Sequence, residues 1–432
     1  MKSLSDITAC VVDNGLFVPL ALKLAQTYKR VLYMTNCKKG FANLNERIIG
    51  DGYAEVERIK DFWPIKRDID LFIFPDIEDS GLQLELESQG FPVWGSRTGD
   101  SYEMNRELFM KTLSELDLEV PNFTKVTGLT ELSEHLLDKE DKYLKISEYR
   151  GTMETFHWRS WREDEGFLDS MAVKLGPAKE LLPFLVFDAI ETDLEIGGDT
   201  YCVDGQFPSL MVNGLEWKDK GYLGAVTKRE DMPEHIQQVM EAFAPLLKNA
   251  GYKNAWSIEL RVKDDKAYPT DPCHRFPCPA NGAQMELLTN QPEIIWAGAH
   301  GELVEAEMGD DFAAECVLTS KSEKHSWGVV DFPKELRPHI KCGGSCEIDG
   351  RICFPPDDSH GDEIGWLVAT GDSIESVADT MKEYAALLPD GVSANTQSLF
   401  DLLKEAHSAE EQGIEFGDDK IPEPEIALDN GE

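Results

Sequence analysis

The chain has 432 residues, 41% hydrophobic and 9% aromatic, too long for a single core, so two to four packed units are expected. Its 81 acidic residues against 42 basic ones leave a net charge of −39, a field that repels nucleic-acid phosphates and argues against DNA or RNA partners. No apolar run is long enough to span a bilayer, and "MKSLSDITACVVDNG" has none of the features of a signal peptide, so the expectation is a soluble cytoplasmic protein without membrane contacts.

The first hundred residues alternate between strand and helix patterns. "ITACVVD" is a short apolar run, "LFVPLALKLAQTY" has helical spacing, and "RVLYMT" reads as a second strand. "DIDLFIFPD", the helix "SGLQLELESQ" and "FPVWG" continue the alternation, which implies a doubly wound parallel α/β sheet. Ligands bind such sheets beyond the carboxyl ends of the strands, where Asp13, Asn14 and Asp76 stand. The same residue types also make turns and caps, and that is the more ordinary use of each.

A charged and apolar helix, "SYEMNRELFMKTLSELDL", leads to Pro121. A β-rich piece follows, with "NFTKV", the helix "LTELSEHLL", and the strands "KYLKIS" and "TMETFHW" about a turn at residues 148–151. After a helix near residues 163–175, "LPFLVFDAI" is a strongly apolar strand, and "EIGGDTYCVDGQFPSLM" reads as a hairpin turning at Asp204-Gly205. "GYLGAVTK" is a further strand, and the helix "EHIQQVMEAFAPLLKNAG" runs into "NAWSIELRVKDDKAYPTDPCHRFPCP". The last third contains "GSCEIDGRICF", "GWLVATG" and the helices "SIESVADTMKEYAALL" and "TQSLFDLLKEAH". Beyond His407 the chain is acidic and loses its apolar period, which predicts a mobile tail. Nine cysteines, an odd number scattered along the chain, suit reduced thiols. Neither "CHRFPC" nor "CGGSCEIDGRIC" has the paired spacing of a zinc site.

The chemistry concentrates in four places. The strand containing Leu185, Val186 and Phe187 offers an apolar slot with backbone amides for a flat base, and Asp188 or Glu191 just beyond it offers a carboxylate to ribose hydroxyls. Lys145, between Leu144 and Ile146 on an apolar strand, and Lys111 on the preceding helix offer cations to phosphates. Glu259 and Asp271, on neighbouring antiparallel strands, offer hard oxygen ligands to Mg²⁺, which would explain acids placed inside a strand pattern.

In this order of elements the chain resembles the ATP-grasp superfamily over residues 5–405, and its layout is most similar to the glycinamide ribonucleotide synthetases. The resemblance rests on "FPDIEDSGLQLELESQGFPVWGSRTGDSYEMNRELFMKTLSELDLEVPNF" and on "GWLVATGDSIESVADTMKEYAALL". It implies an N-terminal α/β lobe over residues 1–120, a mobile β-rich flap over 121–183, an ATP-grasp lobe over 184–295, a small α+β lobe over 296–407 and the tail over 408–432. It also implies ATP with Mg²⁺ or Mn²⁺, small-molecule carboxylate and amine substrates, and a family that is often homodimeric. By the same resemblance Lys145 matches the flap lysine on the ATP phosphates, and Arg106 or Lys111 the earlier lysine. Asp188 matches the ribose acid and Glu195 the acid that follows it. Glu259 and Asp271 match the metal acids, and Arg275 an arginine that steadies phosphoryl oxygens.

The sequence also departs from the family. Where the family reads E-x-N-x-R, this chain reads Asp271-Pro272-Cys273-His274-Arg275, and a thiol is a poor Mg²⁺ ligand. The turn "SEYRGTMET" carries one glycine where the family is glycine-rich, and the N-terminal glycine motif of the purine enzyme is absent, so a purine-biosynthetic role does not follow. Three activities are therefore in play: an ADP-producing carboxylate–amine ligase, a degenerate nucleotide-binding scaffold, and a carboxylate kinase that stops at the acylphosphate.

Overall fold

Alternation in the first hundred residues becomes a parallel sheet because each apolar strand is followed by a segment that can cover it. A computed structural model of the protein describes residues 2–35, 48–77, 79–146, 155–192, 195–217, 220–264, 266–320, 326–355, 363–411 and 416. The chain divides into two compact units, one of residues 1–100, 196–258 and 273–432, the other of residues 101–195 and 259–272.

In the larger unit the parallel sheet has the order Glu57–Arg58, Arg30–Thr35, Thr8–Asp13, Leu71–Ile73, Val93–Trp94. The two-residue strand Glu57–Arg58 is too short to show a period and is absent from the sequence reading. Thr8–Asp13, the first strand, is fully buried and flanked by the second and the fourth, so the connection reverses direction beside its carboxyl end. A second, mainly antiparallel sheet runs Glu195–Val203, Leu210–Trp217, Gly221–Lys228, Phe312–Ser320, Glu363–Gly371, Ile340–Lys341. The expected hairpin between its first two strands forms, with Asp204 at φ 50° and Gly205 at φ 79°. The last helix, Gln397–Glu411, continues past His407, and Phe416 is buried; the rest of the expected tail lies outside the described residues. Among the described residues no helix is long and apolar enough to cross a membrane.

The smaller unit is built on an antiparallel sheet in the order Phe123–Thr127, Pro183–Asp188, Lys142–Ile146, Thr155–Trp158. One face carries Val126, Leu144, Phe184, Val186 and Trp158, and the helices Leu129–Leu136 and Trp161–Leu175 bury Leu132, Leu136, Leu168 and Met171 against it. Each such buried side chain contributes roughly 1.5–3 kcal/mol. Successive strand residues alternate between faces, so Tyr143, Lys145, Leu185 and Phe187 share the other one. The helix expected to run without interruption from Ser101 is broken: Ser101–Met104 stops, and Asn105 caps Arg106–Glu115 by accepting from Leu108 N at 2.9 Å.

One acid in the larger unit is buried with no ion pair among the described residues. Glu315, in the strand Phe312–Ser320, is fully buried and accepts from Ala283 N at 2.9 Å. A Cβ on Gly282 would lie 2.6 Å from the Glu315 carboxylate, so only glycine fits there. Burial pushes the Glu315 carboxyl up to about 8, with the Ala283 hydrogen bond opposing and Glu216 adding to the rise. The folded state therefore keeps this proton while the unfolded chain gives it up near the ordinary glutamate value. Its contribution to stability is intact below about pH 4.5 and is lost as pH rises towards 8, a change on the order of 4 kcal/mol. Glu315→Gln should remove that loss, so urea unfolding should show the variant gaining on the native chain at pH 8 much more than at pH 5. An equal effect at both values would mean that the fold holds Glu315 ionised.

Candidate functional site

The smaller unit brings together residues far apart in sequence. Arg106, at the first turn of its helix and buried, places Nη1 2.6 Å from Asp271 Oδ1. Lys145, also buried, places Nζ 3.6 Å from the same oxygen and donates to the Thr270 carbonyl at 2.8 Å. Two cations thus converge on one carboxylate of the hairpin strand Lys266–Cys273. That strand lies beside Lys253–Lys263, and Thr270 Oγ1 donates to the Glu259 carbonyl at 3.3 Å. The two acids singled out in the sequence are therefore carried on adjacent strands, as their spacing implies.

Lys111 does not join this group. It is 69% exposed and pairs with Glu115 one helical turn on, because five residues after Arg106 a helix points elsewhere. Of the two candidates on that helix, Arg106 is the one at Asp271.

The apolar strand is used differently from the sequence expectation. Pro183–Asp188 is central in its sheet, paired on one edge with Phe123–Thr127 and on the other with Lys142–Ile146, so the backbone at Leu185, Val186 and Phe187 is taken up by neighbouring strands. Val186 belongs to the apolar core. Leu185 and Phe187 lie on the Lys145 face, opposite Lys145 and Tyr143 in register, and their contribution to a slot is through side chains. Asp188 is half exposed and accepts from Lys142 Nζ at 2.9 Å and from the Asn122 amide; the Lys142 bond holds its carboxyl below the usual range. Glu195 pairs with Arg261 at 2.8 Å.

Arg261 is absent from the sequence reading, although its position two residues after Glu259 places both on one strand face. Its guanidinium sits 5.9 Å from the Tyr143 ring centre, and Tyr143 stacks on His157 at 4.5 Å. His157, expected at the surface or in packing, is 44% exposed and also pairs with Asp141. The turn "SEYRGTMET" lies, apart from its last residue, outside the described residues.

In the larger unit Asp13 and Asp76 flank the point where the parallel sheet changes direction. Asp13 is buried and accepts from Gly15 N at 2.8 Å, Phe17 N at 2.6 Å and Tyr33 Oη at 2.6 Å. Burial outweighs these bonds and raises its carboxyl to about 6. Its oxygens thus hold the loop that contains the exposed Asn14. Asp76 Oδ1 is 3.5 Å from Arg275 Nε. Cys273 directs its thiol to the Arg275 carbonyl at 3.6 Å, and buried His274 contacts the Gly99 carbonyl at 2.6 Å. Cys273, which stands where the E-x-N-x-R pattern has asparagine, and its neighbour His274 are therefore both engaged with backbone.

The chain superposes on phosphoribosylamine–glycine ligase from Thermotoga maritima with a TM-score of 0.65, at 15% identity over 89% of this chain and 98% of that one. The fold is ATP-grasp. The biotin carboxylase domain of Hydrogenobacter thermophilus 2-oxoglutarate carboxylase, solved as a dimer with MgADP, ADP and bicarbonate, shares the ATP-grasp fold at TM-score 0.63 and 11% identity, over 96% of this chain and 97% of that one. An L-amino acid ligase from Bacillus licheniformis does so at TM-score 0.55 and 14% identity, over 90% and 98%. No family model matches the sequence, and no curated protein matches it. At these identities the likeness is one of fold, and any chemistry of this chain has to be argued from its own residues.

Breaking a buried ion pair from one side leaves the partner uncompensated and costs up to about 3–5 kcal/mol; Asp271, one-third exposed, recovers part of that from water. Arg106→Met should therefore destabilise the chain by roughly 1–3 kcal/mol, and Lys111→Met by less than about 0.5 kcal/mol. Denaturant unfolding of the two variants measures the difference; equal losses would remove Arg106 from the site.

Proposed function

We propose that this chain is an ATP-dependent carboxylate–amine ligase using Mg²⁺ or Mn²⁺, forming an amide through an acylphosphate. The observation that carries the reading is the convergence of buried Arg106 and Lys145 on Asp271, a carboxylate on the strand beside Glu259. In a protein of net charge −39, cations held out of solvent at one place are what a polyphosphate needs. The ATP-grasp fold supports it, and so does the MgADP in complex with one structural relative.

The donor set fits a hard divalent ion. Glu259 and Asp271 supply carboxylate oxygens from adjacent strands, and Mg²⁺ commonly takes one or two such groups and fills its shell with phosphate and water. Among the described residues no group of three or more His, Cys, Asp or Glu gathers as a fuller ligand set. When bound, the ion would neutralise phosphate charge. Arg106 and Lys145 move from Asp271 to phosphate oxygens, which frees Asp271 to act with Glu259. Leu185 and Phe187 contribute apolar side chains to the base, and Asp188 or Glu195 accepts from ribose hydroxyls.

A substrate carboxylate oxygen attacks the γ-phosphorus and ADP leaves. Lys145 holds the charge that develops on the transferring phosphoryl group. The amine nitrogen then attacks the acyl carbon and loses its proton, and phosphate leaves. Positioning and charge neutralisation supply the acceleration, since no covalent enzyme intermediate is needed. The acidic surface favours a neutral or cationic amine over a phosphorylated one.

A screen of amino acids and small carboxylates against amines should find ADP release that requires both substrates. Glu259→Ala should abolish it with the circular dichroism spectrum unchanged; retained turnover would overturn the metal assignment. Cys273, at the family's asparagine and turned to a backbone carbonyl, favours a second reading as a nucleotide-binding scaffold. Thermal shift with ATP, with and without Mg²⁺, separates the two. A metal-dependent shift without turnover on any pair supports the scaffold, and no shift at all removes the nucleotide from both.

A further inference from the structure

The segment "CGGSCEIDGRIC" takes no part in the ligase reading, yet the fold gives it a defined arrangement. Cys346–Ile348 and Arg351–Phe354 form a hairpin, closed by a two-residue turn with Asp349 at φ 52° and Gly350 at φ 77°. Those left-handed positions are the ones a tight two-residue turn demands, and they pin the register. In that register Cys346 stands directly opposite Cys353, with Glu347 opposite Ile352 and Ile348 opposite Arg351. Directly opposed residues on antiparallel strands have Cα atoms roughly 4.5–5.5 Å apart and side chains on one face. A disulfide needs a Cα separation of about 4.4–6.8 Å. Both thiols are free in the structure.

We propose that Cys346 and Cys353 form a redox-active dithiol that closes to a cross-strand disulfide by exchange with a small-molecule disulfide of the glutathione class. One thiolate attacks the small disulfide, giving a mixed disulfide and releasing one small thiol. The second thiolate then attacks the protein sulfur of that mixed disulfide and releases the other small thiol. Two protein thiols lose two electrons and two protons in all, and one small-molecule disulfide becomes two thiols. Burial raises both thiols, that of Cys346 to about 11, while Arg351 partly offsets the rise at Cys353. Cys353 is on that account the better first nucleophile, and the exchange is slow at neutral pH.

The bond would close a hairpin whose leading strand is tied to the candidate site of the larger unit. Gly344 N donates to the Gly15 carbonyl at 2.7 Å, beside the loop that Asp13 holds. Gly50 N donates to the Ser345 carbonyl at 2.8 Å, Glu347 N to the Asp51 carbonyl at 2.8 Å, and the Tyr53 and Ser345 hydroxyls share a hydrogen bond of 2.7 Å. Oxidation would therefore stiffen the support of the Asp13–Gly15 loop without adding a group to it. Cys342 is the competing partner, buried and four residues before Cys346, with Gly343 and Gly344 between them.

The test uses the full chain, equilibrated natively with oxidised glutathione and, in parallel, with diamide. Free thiols are then alkylated and the peptides analysed by mass spectrometry without reduction. The expected product joins Cys346 to Cys353 with loss of two hydrogens, and dithiothreitol reverses it. Cys353→Ser should leave Cys346 as a mixed disulfide or free, and Cys346→Ser should leave Cys353 likewise. Hydrogen exchange at Gly50 and Gly344 should slow in the oxidised native chain and not in either variant. A Cys342–Cys346 bond, or full alkylation of Cys346 and Cys353 after both oxidants, overturns the proposal.

Discussion

A carboxylate that loses water within a fold needs that loss offset, and in the smaller unit two cations do so at Asp271 and thereby join three elements. Asp271 takes Arg106 from a helix and Lys145 from a strand of the neighbouring sheet, and Lys145 also reaches the carbonyl of Thr270. These contacts are separated by more than a hundred residues of chain, so they hold the unit's pieces in one register while leaving polar groups within reach of a ligand. An apolar substitute for the triad would fill the same space, but it would offer nothing to a phosphate.

Under the proposed function, the same logic explains how a chain this acidic would serve a polyanion. Long-range repulsion is screened within about 10 Å at moderate salt, whereas cations held out of solvent act over a shorter path with little screening. Sign reversal is thus a local affair of Arg106 and Lys145. The acids elsewhere have other work. Asp13 satisfies loop amides and the Tyr33 hydroxyl, and Glu315 stays largely protonated beneath the start of a short helix. Asp271 is paired, Asp13 hydrogen-bonded and Glu315 neutral, which are the three ways the desolvation of an acid can be offset.

Much of the architecture could be read from periodicity. The alternating runs of the first hundred residues became the parallel sheet, the Asp204-Gly205 signal became a left-handed turn, and the helices at Trp161–Leu175, Glu234–Asn249 and Ile374–Ala386 stand where their apolar spacing puts them. Glu57–Arg58 escaped because two residues carry no period, and Asn105 because its capping role depends on where the preceding turn ends. The candidate site rests on residue types that the sequence shows and on a geometry that it does not. Val186 looked equivalent to Leu185 and Phe187 in an unbroken apolar run, yet strand alternation sends it to the opposite face, and both backbone edges of that run are already paired.

Spacing along the chain settles which segments are strands and helices, and the ordered acids and lysines suggest a nucleotide fold, because those signals are local and repeat with the period of the backbone. Which cation meets Asp271 is of another kind. Arg106 and Lys111 are indistinguishable as charged residues on one helix, and the choice between them depends on how that helix is rotated against a hairpin some 150 residues later. Opposed thiols at Cys346 and Cys353 likewise exist only through the register that a two-residue turn imposes. Rotation and register are set by packing between elements, and no one-dimensional pattern contains them.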